Sequence, residues 1–218
     1  MPLQIKQTAD GSPTLYLPER NESYHSMNGA VQESLHVYIQ AGFNHCRKDR
    51  IHVLEMGFGT GLNAFLTALE AKKRRVEVTY TALEKYPLPA GIVRQLRYSD
   101  REDDLFRRLH DAAWERPVPL TPAFTLHKIK TDFAGYDYSG GYDVVYYDAF
   151  APDKQPEAWS PALFEALYAA MLPGGILTTY CAKGAVRRMM RQAGFAVERI
   201  PGPPGKREML RAEAQPLL

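Results

Sequence analysis

One stretch limits the fold more than any other. Ile51, Val53, Leu54 and Met56 read as a strand that runs straight into Gly57-Phe58-Gly59-Thr60-Gly61. Three alternate glycines let the backbone turn tightly and let a ligand approach with no Cβ in the way. From Leu62 the apolar period becomes that of a helix, through Leu62, Phe65, Leu66 and Leu69. A strand, a glycine turn and a helix in this order aim a helix N-terminus into one space. Such units bind nucleotide-like cofactors at the carboxyl ends of parallel strands.

Spacing narrows the choice of cofactor. A dinucleotide fingerprint needs G-x-G-x-x-G; counted from Gly57, the last position is Leu62. The chain offers instead an acid, Glu55, two residues before the first glycine, and a third glycine at Gly61. A carboxylate at a strand tip repels a pyrophosphate but suits a ligand that carries an ammonium and a sulfonium. That ligand is S-adenosylmethionine, and the turn is similar to motif I of the Rossmann-like, class I methyltransferases. The competing reading is a glycine-rich turn that serves chain geometry alone.

The rest of the chain alternates in the same way. Strands are expected at 51–56, 76–84, 124–130, 142–148, 174–180, 195–200 and 207–212, and helices at 61–72, 88–98, 161–171 and 184–193. Residues 99–120 read as a charged helical insertion ending at Pro117 and Pro119. Before the alternation, residues 3–17 read as a hairpin turning at Asp10-Gly11-Ser12-Pro13, and 28–42 as a helix. The expected fold is α/β: a mostly parallel, doubly wound, seven-stranded sheet with a terminal antiparallel hairpin. The expected organisation is an N-terminal extension over 1–45 packed on a Rossmann-like domain over 46–218.

Composition removes several classes. The two cysteines, Cys46 and Cys181, make neither a disulfide framework nor a metal cluster, which suits a reducing cytosol. The six histidines show no metal-ligand spacing. No segment has the ~18 consecutive apolar residues of a membrane span, and the first residues lack the apolar run of a signal peptide. A net charge of +2 attracts nucleic acid weakly, so any RNA contact must come from local patches.

Strand tips supply the candidate site residues. Glu84 ends the second strand, where an acid accepts both ribose hydroxyls of an adenosine; pairing with Lys85 is the plainer alternative. Asp132 follows the third and suits either an adenine amino group or a turn cap. Asp148 ends the apolar run Val144–Tyr147, where a carboxylate holds an incoming amine and helps remove its proton; its alternative is also a cap. Phe150, two residues on, is placed to stack on a base.

Together these residues carry a family resemblance. It rests on the run from Glu55 to Asn63, on Leu83–Pro87, on Asp148–Pro152 with Pro156 and Trp159, and on Thr179–Gly184 and Gly205–Leu210. Ser23–Ala30 with Glu33-Ser34 belongs to the same pattern. The combination resembles the methyltransferase domain of the MnmC family and spans residues 23–210. The resemblance implies S-adenosylmethionine-dependent methylation of the aminomethyl group of 5-aminomethyl-2-thiouridine at the tRNA wobble position. In it Asp148 matches the catalytic acid, and Asn63 joins Glu55 and the three glycines around the cofactor. Two-domain members also carry an FAD-dependent oxidase domain. This chain contains no second glycine-rich strand–turn–helix, so a stand-alone methyltransferase is expected, with a separate oxidase as one source of its precursor.

Cys181 reads as a small buried residue. The basic run Lys72–Arg75 falls on the rim opposite the strand tips and reads as a solvated loop or a peripheral phosphate contact. Lys154, Lys183 and Arg187 follow strand ends on the productive rim and are expected to meet tRNA phosphates; Lys206 and Arg207, in the final turn, are plausible additions. Three rival functions stay open at this point: a polyamine synthase-like aminopropyltransferase, a non-catalytic cofactor- or RNA-binding module, and an NAD oxidoreductase. The intact Asp148 argues against the second, and Leu62 against the third.

Overall fold

The computed structural model describes residues 3–99 and 101–215. The chain opens with β1 (Gln4–Gln7), β2 (Pro13–Leu17) and the two-residue β3 (Glu22–Ser23), joined antiparallel into a small sheet. The expected helix over 28–42 is split: α1 (Ala30–Ser34) continues directly as a π-helix over Leu35–Gln40. Side-chain periodicity cannot distinguish these two windings, because both bury Val37, Tyr38 and Ile39.

The main sheet is built from β4 (Arg50–Met56), β5 (Glu77–Leu83), β6 (Pro117–Thr121), β7 (Phe124–Ile129), β8 (Tyr142–Tyr147), β9 (Met171–Thr179), β10 (Phe195–Pro201) and β11 (Glu208–Ala214). Their order is β10-β11-β9-β8-β4-β5-β7-β6. Strands β7, β5, β4, β8 and β9 pair in parallel, and β11 is antiparallel to both β9 and β10. The sheet is thus the Rossmann-like one expected, with eight strands rather than seven. The additional strand is β6. Pro117 and Pro119 read as breakers, yet on a sheet edge a residue that donates no hydrogen bond is tolerated, and both pair with β7.

Both faces of the sheet are covered, as parallel strands require. Val53, Val144 and Tyr146 share one core with Leu62 and Phe65 of α2 (Leu62–Arg74), with Phe106 of α4 (Asp103–Asp111), and with Leu15, Val37 and Tyr38. Leu54, Met56, Val145 and Tyr147 face the other way, onto Phe164 of α5 (Pro161–Ala170) and Val186 of α6 (Gly184–Gln192). Between β5 and α4 the expected helix over 88–98 shrinks to α3 (Ala90–Val93), which buries no residue. Leu88, Leu96 and Tyr98 pack on the core from outside this helix, and Gly91 within it lowers its helix propensity.

The N-terminal end of α2 faces the tips of the parallel strands. Its other end carries the Lys72–Arg75 run, which the structure places in the last helical turn and C-cap. Arg74 there is structural: its guanidinium donates to the carbonyls of Phe43 and Cys46 at 2.8 Å each and lies over the Phe43 ring.

Candidate active site

A cleft of about 930 Å³ opens at the carboxyl ends of β4, β5 and β8, within the size range of small-molecule sites. Its first wall is the glycine turn. Gly57 and Phe58 both donate to the Leu83 carbonyl at 3.0 Å, which fastens the turn to the tip of β5. Gly57 has φ +99°, and a Cβ there would stand 2.7 Å from the Asp148 carbonyl, so the glycine is what lets the turn lie against the loop after β8. Gly61, with φ +74°, starts α2 in space bounded by His110 and Leu109. Two histidines clasp Thr60 between these glycines. His25 meets its hydroxyl at 3.3 Å and His110 its carbonyl at 3.0 Å. Burial lowers the pKa of each to about 4, so both clasps are neutral imidazoles.

Glu84 closes this wall. Its carboxylate accepts the Gly59 N–H at 2.9 Å and the Tyr86 N–H at 2.8 Å, locking the tips of β4 and β5 together while the side chain lines the cleft. Asp132 also lines the cleft and acts as the turn cap that was one of its two readings. It caps the 3₁₀ turn Phe133–Gly135 through the Ala134 N–H, and it pairs with Lys85, which holds it below the usual carboxylate range.

Asp148 stands where the walls meet. Tyr38 donates its hydroxyl to Oδ1 at 2.6 Å, and Asn63 donates its amide to Oδ2 at 2.8 Å. Burial, helped by the nearby Glu33 charge, lifts the Asp148 pKa to about 7 against these two hydrogen bonds and the Lys206 charge. The result is a carboxylate that takes up a proton near neutrality, unlike an ordinary aspartate at ~3.9. Burial pushes the Tyr38 phenol well up, so it stays a donor throughout.

The second wall comes from distant parts of the chain. Tyr24 packs edge-on against Phe150, with ring centroids 5.1 Å apart, and the Arg20 guanidinium lies 5.7 Å from the Phe150 ring. Arg20 and Lys154 exchange contacts, each side chain donating to the other's carbonyl. Lys206 reaches in from the β10–β11 turn, 4.0 Å from the Tyr180 ring centroid and 2.7 Å from a buried Glu33 oxygen. That turn therefore belongs to the cleft rim, which topology alone does not fix.

Gly57, Gly59, Asn63, Glu84, Asp132, Asp148, Phe150 and Lys206 all line the cleft. Glu55 does not; it is fully buried beneath it, with Oε1 accepting from Asn63 at 3.0 Å. Met56, one place nearer the tip, packs into the core under α5 and α6, and Glu55 points to the opposite face, toward Asn63 of α2. Gly61 and Lys154 border the cleft without lining it. Lys183 lies outside and pairs with Asp153 at 2.6 Å, Arg187 sits in the first turn of α6, and Arg207 is exposed in the final turn. Cys181 is buried.

Sequence reasoning missed Tyr38, Thr60, His25, Arg20, Tyr24 and the paired Glu33. Tyr38 offered one signal: a phenol within an apolar stripe must find a hydrogen-bond partner once buried. Tyr24, His25, Glu33 and Thr60 fell within the runs that carry the family resemblance but without an assigned role, and Arg20 gave no signal.

A family model described as S-adenosyl-L-methionine-dependent methyltransferase matches residues 125–215. The tRNA 5-methylaminomethyl-2-thiouridine biosynthesis bifunctional protein MnmC of Aeromonas hydrophila is 31% identical over 227 residues, covering 91% of this chain and 34% of that protein. Its counterpart in Cupriavidus necator is 32% identical, covering 96% and 34%. The chain thus spans about a third of the length of these relatives. Among solved structures, MnmC2 from Aquifex aeolicus shares the fold over 100% of this chain and 73% of its own, with TM-score 0.79 at 23% identity. Spermidine synthase from Thermotoga maritima shares it over 97% and 68%, with TM-score 0.61 at 13% identity. Over more than nine tenths of its length the chain is thus similar to one third of the MnmC proteins, and its residues 125–215 carry the signature of an S-adenosyl-L-methionine-dependent methyltransferase.

Proposed function

We propose that this chain transfers a methyl group from S-adenosylmethionine to the aminomethyl nitrogen of 5-aminomethyl-2-thiouridine at the wobble position of tRNA. The observation that carries the reading is Asp148, held by two donors at the junction of the cleft walls with a pKa raised to about 7. The glycine turn fits the cofactor: Gly59 presents backbone without a Cβ to the cleft, and Glu84 and Asp132 offer carboxylate oxygens along its wall. Gly57, Gly59, Gly61, Asn63, Glu84 and Asp132 are the residues assigned to holding it. Glu55 supports them from below.

When bound, the cofactor supplies an electrophilic methyl group on sulfonium. The chain's part is to prepare the nucleophile. An alkylammonium titrates near ~10, so the amine arrives protonated and without a lone pair. Asp148 accepts one proton from it, and Tyr38 and Asn63 keep the carboxylate aimed while it does so. An acid poised near neutrality is the efficient choice for such a transfer. Phe150, Tyr24 and Arg20 form the face against which an extruded base stacks. Lys154, Lys183, Arg187 and Arg207 remain the rim positions assigned to tRNA phosphates. Lys206 is reassigned to the cleft interior, because its ammonium is already engaged by Glu33.

The direct test incubates the protein with labelled S-adenosylmethionine and thiolated tRNA carrying the aminomethyl group, followed by nucleoside analysis. The expected product is labelled 5-methylaminomethyl-2-thiouridine. The reading fails if that tRNA stays unlabelled while a polyamine accepts an aminopropyl group from the decarboxylated cofactor.

A further inference from the structure

Beneath Asp148 lies a group of polar atoms that the proposed reaction leaves unused. Glu55 has no accessible surface, and its Oε2 has no hydrogen-bond partner. Asn63 Oδ1 is likewise buried and without a partner among the described residues, and the buried Tyr80 hydroxyl faces the Glu55 carboxyl. The joint between these atoms and the cleft is the Asn63 amide nitrogen, which donates to Glu55 Oε1 at 3.0 Å and to Asp148 Oδ2 at 2.8 Å. Asn63 is also fixed from behind, its carbonyl accepting from Thr67 at 2.7 Å, while Thr67 meets the Tyr146 hydroxyl at 3.1 Å.

We propose that Glu55 is a positioning residue for Asp148: its Oε1 anchors the Asn63 amide so that the same nitrogen donates to Asp148 Oδ2. The inference rests on Asp148 being the proton acceptor of the proposed reaction. It gives the acid of the glycine-turn strand a task that its burial permits, where direct contact with a ligand in the cleft is closed to it.

The charge state of Glu55 follows from its surroundings. Burial raises its pKa well above the usual carboxylate range, and the Asp148 charge acts in the same direction. A neutral acid still presents a carbonyl oxygen to Asn63 and adds no second full negative charge close to Asp148. The other groups facing Asp148 are Tyr38 from the π-helix, Glu33 from α1, Lys206 from the β10–β11 turn and Tyr180 after β9. Those facing Glu55 are Asn63, Tyr80, Tyr146 and Glu84. Among the described residues, Asn63 alone hydrogen-bonds to both acids.

The test reads the Asp148 titration in the free protein by carboxyl-carbon NMR, assigned with Asp148→Asn, so that it does not depend on methylation. Glu55→Leu removes the anchor, and the Asp148 midpoint should rise by about half to one pH unit, the worth of one weakened hydrogen bond. Glu55→Gln keeps a carbonyl acceptor at the same place and should hold the midpoint within about 0.3 units of wild type. Cofactor affinity, by calorimetry, should change less than about threefold in Glu55→Gln. Three results overturn the proposal: an unmoved midpoint in folded Glu55→Leu, an equal shift in both variants, or a tenfold loss of cofactor affinity in Glu55→Gln with the midpoint unmoved. Should Glu55→Leu not fold, Glu55→Met, which also lacks an oxygen acceptor, takes its place, with the same upward shift expected and an unmoved midpoint overturning the proposal. Failure of the tRNA methylation assay would leave these midpoints as measured and so refers to the other claim.

Discussion

On the glycine-turn side of the cleft, position is set by backbone. Gly57 and Phe58 hang from the Leu83 carbonyl, Gly59 donates to Glu84, and Gly57 touches the carbonyl of Asp148 itself. On the facing side position is set by side-chain ends. Tyr24 and Arg20 reach Phe150, and Lys206 reaches Glu33 across a separation of 173 residues. The first wall tolerates few substitutions because each glycine conformation is shared by everything packed on it. The second is a set of separable contacts, each removable without moving its neighbours. A fixed cofactor and an exchangeable substrate would place these opposite demands on the two sides.

The comparison breaks first at Asp148, which both walls share. Asp148→Asn should retain cofactor binding and lose about 10²–10⁴ in turnover; near-wild-type methylation at saturating substrate would remove it as proton acceptor. Glu84→Ala takes away the acceptor of two backbone N–H groups on the first wall. Cofactor affinity should fall by about tenfold to a hundredfold in a folded protein, and unchanged calorimetry would take Glu84 out of the site. Gly57→Ala should cost about 1–3 kcal/mol in denaturant unfolding, because the new Cβ meets the Asp148 carbonyl at a left-handed φ. A matched truncation on the second wall, Arg20→Ala, should cost less than about 1 kcal/mol. Equal costs would erase the distinction between the walls.

A further effect is a pH dependence. The folded pKa of Asp148, raised by burial to about 7, exceeds its unfolded value of ~3.9. Below about pH 4 both states are protonated and burial of this group carries no charge penalty. From about pH 4 to 7 the folded state keeps a proton that the unfolded state releases, so stability falls as pH rises, and above about 7 the loss is complete. Asp148→Asn should therefore gain on wild type in melting temperature across that window and hold a constant lead above it. With discount for the partly open face the lead corresponds to about 1–2 kcal/mol. A lead that shrinks with rising pH would mean the carboxylate is stabilised in the fold.

How far each wall was legible in the sequence follows from the same distinction. The strands, α2, α5, α6 and the strand-tip residues Glu84, Asp132 and Asp148 could be read because period and punctuation are local signals. The misreadings had physical causes. Pro117 and Pro119 concealed an edge strand, the apolar residues of 88–98 pack on the core mostly from turns rather than from one helix, and Glu55 was assigned to the cleft from its spacing when its side chain faces the core. Tyr38 was visible as a core residue but not as a donor to Asp148, since the π-helix that carries it buries the same residues an α-helix would. The second wall depends on contacts between residues over a hundred positions apart, and no pattern in one sequence records those.

The prolines of β6 have a consequence for the molecule among its copies. An edge strand is a template on which another chain can add a strand through unpaired backbone donors. At Pro117 and Pro119 alternate residues of β6 have no donor to offer. The terminal strand therefore ends hydrogen bonding in that direction as well as completing the sheet, and replacing both prolines with threonine would extend the ladder into solvent. Colloidal behaviour at high concentration, rather than catalysis, is where that change would register.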